Sequence, residues 1–242
     1  TAVNAEITKI LQNCPRAQYI GYTATPFANV FVDPSDPEDL YPRHFVLILN
    51  EPPAYRGARW FHDRADFVDE PEKATIENSQ SKAFIRDLAE EADYDDDAEF
   101  EAARIRELQE ALDMFVLTGA IKKYRQEKIS SLKFKHHTML VHEGVTTTQH
   151  EDAVVKLQTL WDARGYNLGR PDPELRRLFE DDLLPVMRLE KYNAGMPYPE
   201  TYEELHPYIA LAYESLMKQA QKGKDTDRVY PILQVDTAAK HV

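Results

Sequence analysis

Cysteine is almost missing from this chain: Cys14 is the single one among 242 residues. An internal disulfide and a cysteine-based zinc cluster are therefore excluded. No apolar run reaches about 18 residues, so no hydrophobic helix is available to span a bilayer. The first residues lack the basic and apolar regions of a signal peptide, and the default compartment is the cytoplasm. Positive charge is in deficit as well, with 29 Lys and Arg against 42 Asp and Glu and a net charge of −13. Tight DNA binding needs cations that displace counterions from phosphates. The balance argues against it for the chain as a whole while leaving room for a local basic path.

Catalytic signatures are missing too. No G-x-x-x-x-G-K-[ST] phosphate cradle occurs; Gly223-Lys224 runs into Asp225-Thr226 without a glycine-rich lead-in. No Asp-Glu pair closes an apolar strand to hold Mg²⁺. Pro171-Asp172 opens like a nuclease motif, but Glu190-Lys191 lacks the residue between them that would aim both side chains at one strand face. Adjacent His136 and His137 would point to opposite strand faces, and no helix carries H-E-x-x-H, so no metal site is expected.

What is present begins with helical spacing of Val3, Ile7, Ile10 and Leu11, which predicts an amphipathic helix over 3–13. Tyr19, Ile20 and Tyr22 favour a strand that ends at Thr23-Ala24-Thr25-Pro26. Two readings of that turn are open. Thr25 can simply cap a helix with Pro26 at its first position. Alternatively, two hydroxyls at the carboxyl end of a strand stand where open α/β sheets bind ligands. Residues 33–42 are acidic and proline-punctuated, a surface loop, and Phe45-Val46-Leu47-Ile48-Leu49 reads as a buried strand.

Periodicity is weak over 50–80. Asp93-Tyr94-Asp95-Asp96-Asp97 is either a metal or partner site or, more simply, a solvated loop and helix N-terminus. A long helix follows with Ile105, Leu108, Leu112, Phe115 and Val116 on one stripe. It is apolar all round from Met114 to Ile121, so that half is expected to be buried. Lys122, Lys123 and Arg125 suit its C-terminal end. Residues 138–142 predict a strand, 149–161 a helix, 173–222 helical pairs split by proline, and 229–235 a last strand.

A strand ending Thr-Ala-Thr-Pro resembles motif III of superfamily-two helicases and translocases. The longer run Tyr19 to Asn29 is similar to the Z1 domain family. So are Asp39 to Phe45, Pro52 to Gly57, Ala111 to Ile121 and Met139 to His142. These are helicase-like ATPases of bacterial restriction and phage-defence systems, to which an endonuclease label is attached. The likeness touches most of residues 1–160 and fades after that.

The resemblance implies an α/β fold built from parts of two RecA-like lobes with a helical connector and a helical insertion. Residues 1–50 would be the end of the first lobe with motif III. Residues 51–130 would be a mostly helical connector, and 131–242 part of the second lobe with an insertion at about 170–222. Thr23 and Thr25 would couple ATP hydrolysis to lobe movement; Thr146, Thr147 and Gln149 would touch a nucleic-acid backbone. The chain then reads as an internal piece of a larger protein. That protein would use ATP and Mg²⁺ and act on DNA, its ATPase segments completed on either side; the piece alone would bind neither cofactor. Two rivals stand beside this reading: a non-enzymatic helical interaction module, and part of a metal-dependent endonuclease.

Overall fold

The computed structural model describes residues 2–14, 16–23, 45–50, 52, 55–62, 74–142, 146–168, 172–221 and 231–232. It divides into two units, Thr1–Arg56 and Gly57–Val242. In the first, helix α1 (Ala2–Asn13) forms where the apolar spacing places it and buries Thr8. Residues 17–23 and 45–50 have no regular secondary structure and pair with no other described segment, with Tyr22 91% and Ile48 84% exposed.

The second unit is helical. Short helices α2 (Ala58–Phe61) and α3 (Gln80–Phe84) meet α8 (Glu190–Asn193) through aromatic rings, with Trp60–Phe84 centroids 4.6 Å apart and Phe84–Tyr192 4.9 Å. A 3₁₀ turn at Glu91–Asp93 leads to α4 (Asp97–Lys128), whose first turn is capped by the Asp96 carboxylate accepting from the Ala98 N–H at 2.8 Å. The acidic run thus serves the helix N-terminus, where carboxylates complement the dipole. Helix α5 (Thr147–Arg164) stops at Gly165, whose φ of 64° is the left-handed geometry a helix end favours.

After a second 3₁₀ turn (Tyr166–Leu168), α6 (Pro173–Arg177) widens into a π-helical stretch, Leu178–Leu183, and continues as α7 (Leu184–Arg188). The wide turn lies directly before Pro185, which has no N–H for an ordinary helical bond. Helix α9 (Tyr202–Gln221) completes the unit and packs along the second half of α4. Val116, Leu117 and Ala120 of α4 meet Leu205, Ile209 and Ala212 of α9, with Trp161, Tyr166 and Phe179 closing the core. Each large side chain removed from water here contributes about 1.5–3 kcal/mol. The all-round apolar stretch of α4 is buried as its composition predicts.

The expected α/β architecture is overturned. The described residues hold helices and no strand, so the chain is not the pair of RecA-like lobes that the resemblance implied. The β-prone stretches 17–22, 45–49 and 138–142 have no regular secondary structure, and none pairs in a ladder with another described segment; β propensity needs such pairing to become a strand. Of 229–235, Pro231 and Ile232 alone are described, and Ile232 packs against the helical core. The expected turn around Thr25 and loop 33–42 lie outside the described residues.

One charged group sits inside the core. Asp113, 1% exposed in mid-α4, accepts from the Arg164 guanidinium at 3.0 and 2.7 Å, from the Tyr166 hydroxyl at 2.7 Å and from the Gln109 amide at 3.1 Å. Arg164 also reaches Asp172 at 3.0 Å, whose carboxylate caps α6. Burial, then the charge of Asp113, pushes the Tyr166 phenol up, so it stays a donor. Removing one partner of such a pair strands the other's charge. Asp113→Asn is expected to cost about 3 kcal/mol, read as a lowered urea midpoint of the full chain. A loss below about 1 kcal/mol would mean the network contributes no more than an exposed pair.

Candidate functional site

From Lys122 to His137 the charge balance of the chain reverses. Lys122, Lys123, Arg125, Lys128, Lys133 and Lys135 face a single carboxylate, Glu127. The last turns of α4 carry the first four cations. The chain then turns and runs back in extended form as a strap, residues 132–142, over the surface made by α4 and α9. Leu132, Phe134, His137, Met139 and Val141 are partly buried, while Lys133, Lys135, His136 and Leu140 are exposed. Alternation follows the two-residue period of extended backbone with one slip at His136–His137.

Gly119 is what seats the strap. A Cβ there would lie 2.9 Å from the His137 ring and 3.4 Å from Ala212. Without one, the ring stacks on Phe115 at 4.3 Å, with planes 3° apart, and its Nε2 lies 2.6 Å from the Phe115 carbonyl oxygen. That carbonyl only accepts, so Nε2 carries the hydrogen in the bonded tautomer. At the far edge Arg125 is fixed by the Pro197 carbonyl (3.0 Å) and the Asn193 side chain (2.6 Å).

Between α4, α9 and the strap lies a recess. Its floor is Gly119, Ala212 and Leu216, its walls include Phe134 and His137, and its polar rim is Lys122, Lys123, Gln126, His136, Ser215 and Gln219. Among the described residues no carboxylate lines it. Lys123 donates to Ser215 Oγ at 2.9 Å, and the Gln219 amide holds the Lys135 carbonyl at 3.1 Å. Such a surface suits an anion.

Thr146 and Gln149 form a capping box at the start of α5. Thr146 Oγ1 accepts from the Gln149 N–H at 3.3 Å, and Gln149 Oε1 accepts from the Thr146 N–H at 3.1 Å. Thr147 is exposed in the first turn, and Thr23 is exposed at the end of its extended stretch. Thr25 lies outside the described residues. Thr146, Thr147 and Gln149 are not among the residues that line the recess. Among the described residues no group of three or more His, Cys, Asp or Glu is arranged to hold a metal ion. Asp113 and Asp172 are committed to Arg164. No helix among the described residues is long and apolar enough to cross a membrane.

The Z1 domain family model matches residues 107–230, just over half of the chain. The chain belongs to the Z1 domain family. The match begins inside α4 and takes in the strap and every helix through α9, so the recess lies wholly within the Z1 region. The Thr-Ala-Thr-Pro stretch and all else before residue 107 fall outside it. No curated protein and no solved structure matches the chain.

Sequence reasoning assigned Lys122 and Lys123 to the helix end alone and weighed His136 and His137 only as metal ligands. The missed signal was the density of cations from 122 to 135 in an otherwise acidic Z1 chain. His137 also titrates to effect. Burial holds its ring below the ordinary imidazole pKa, partly offset by the Phe115 carbonyl and assisted by Lys122 and Lys123. The unfolded chain therefore binds this proton first as the pH falls. Stability is full above about pH 6.5 and declines as the pH drops toward the folded value. His137→Gln should flatten that decline in urea midpoints between about pH 7.5 and 5; an unchanged slope would assign the acid sensitivity to other groups.

Proposed function

We propose that this chain is the DNA-contacting helical part of a Z1 protein that does ATP-driven work on DNA in restriction or phage defence. It holds nucleic acid and does not itself hydrolyse ATP. The observation that carries the reading is the cation band of Lys122 to Lys135 beside a recess that no carboxylate among the described residues lines, in a chain whose net charge is −13. Positive charge gathered against the overall balance fits a phosphate backbone, the one abundant polyanion such a protein handles. ATP and Mg²⁺ are assigned to other segments of the same protein. The sequence here has neither a phosphate cradle nor a paired Mg²⁺ carboxylate, and phosphoryl transfer is almost entirely positioning and charge stabilisation by such groups.

Two measurements test this. The purified chain should release no phosphate from ATP above background, with or without DNA; turnover abolished by a substitution inside the chain would overturn the division of labour. Fluorescence anisotropy with duplex DNA should give a dissociation constant of about 10⁻⁴ to 10⁻⁶ M that weakens steeply with salt. Lys133→Ala with Lys135→Ala removes two exposed cations and should flatten the salt slope by about 0.9 for each phosphate left unneutralised. Binding that is indifferent to both substitutions, or absent at low salt, would remove the cation band from the reading.

A further inference from the structure

We propose that the recess between α4, α9 and the strap binds a phosphate monoester, supplied by the phosphorylated end of a nucleic-acid strand. The inference rests on the DNA-binding reading above and gives Lys122 and Lys123, the part of the cation band that lines the recess, a role beyond that of the exposed Lys133 and Lys135.

Lys122 and Lys123 are the unusual groups. Both are half-buried, and neither forms an ion pair with a carboxylate among the described residues. Lys122 has only a long hydrogen bond, 3.4 Å, to the His136 carbonyl, and its ammonium lies 5.7 Å from the centre of the Phe134 ring. Burial alone lowers its pKa. A cation withdrawn from water without a counter-ion is costly. Among the described residues no carboxylate lines the recess. An entering anion removes that cost.

The charge decides which anion. The recess is a small depression framed by α4, α9 and the strap, with an apolar floor and two ammoniums on its rim. A monoester phosphate carries about −1.5 to −2 charge and three strong acceptor oxygens, against −1 for a diester. Two ammoniums match that charge. The Gln126 amide and the Ser215 hydroxyl, which accepts from Lys123 and keeps its own hydrogen to donate, supply further donors. The floor and Phe134 offer apolar surface to the attached sugar and base.

The test compares one single-stranded oligonucleotide with and without a 5′-phosphate, by anisotropy on the full chain. The phosphorylated strand should bind about tenfold tighter, the effect of one charge-assisted hydrogen bond. Lys122→Gln with Lys123→Gln should abolish the difference between the two strands, although it also takes two cations from the band, whereas Lys133→Ala with Lys135→Ala should weaken both strands alike and preserve the difference. Gln126→Glu, which places a carboxylate in the recess, should abolish it as well, with an unchanged melting temperature showing that the fold is intact. Equal affinities for the two strands would overturn this proposal and leave the DNA-binding reading standing. If neither strand binds, that reading fails, and titration with a nucleoside monophosphate and with inorganic phosphate, followed by the His136 and His137 ring resonances, still decides the recess. Shifts that the lysine variants lose support a monoester site filled by free nucleotide; no shifts overturn it.

Discussion

A carboxylate in the middle of an apolar helix has to be answered before that helix can be buried, and Asp113 is that carboxylate. The answer comes from Arg164, at the end of α5 and 51 residues further along the chain, and from Tyr166 just after it. Because Arg164 also holds Asp172 at the start of α6, one guanidinium ties three helices at a single point. Apolar packing around it is stronger in total but tolerant of sliding. The bidentate pair is not, since its two hydrogen bonds fix both angle and register. The position of α5 on α4, and through it the start of the α6–α7 helix, follows from this pairing.

With α4 held on that side, its other face is left to α9 and the strap. The geometry there is built from small groups: Gly119 and Ala212 approach closely enough for the His137 ring to lie over Phe115, and the strap then lies down along the seam. The same arrangement that buries Met139 and Val141 leaves Lys133 and Lys135 facing water. Cation band and apolar seam are thus two sides of one extended segment, and the recess is the gap between its inner side and the helices.

Helices were legible in this sequence wherever their own residues determine them. The stripe of α4, its apolar band from Met114 to Ile121 and the body of α5 all have local causes, and each was found close to where spacing put it. Strands were not, for a reason in the physics: Phe45 to Leu49 and Thr138 to His142 carry β-branched and apolar residues, but pairing depends on a partner that local sequence does not specify. The pattern of 132–142 was half right, since it alternates as a strand does while packing its inner side on helices. Asp113 could have been noticed as the lone charge in Leu112-Asp113-Met114-Phe115-Val116-Leu117. Its partners could not, because nothing local links position 113 to 164. The resemblance had weighted the Thr-Ala-Thr-Pro region most, and the family match lies in the later helices instead.

Position 119 sets protein engineering against the site. Exchanging a mid-helix glycine for alanine is a standard route to a more robust protein, worth up to about 1 kcal/mol in helix propensity. In α4 that exchange would place a methyl group 2.9 Å from the His137 ring, which would have to shift from its stack on Phe115. The hollow exists because atoms are missing there. A thermostabilised version of this domain, or a relative carrying alanine at this point, would trade the recess for a better helix.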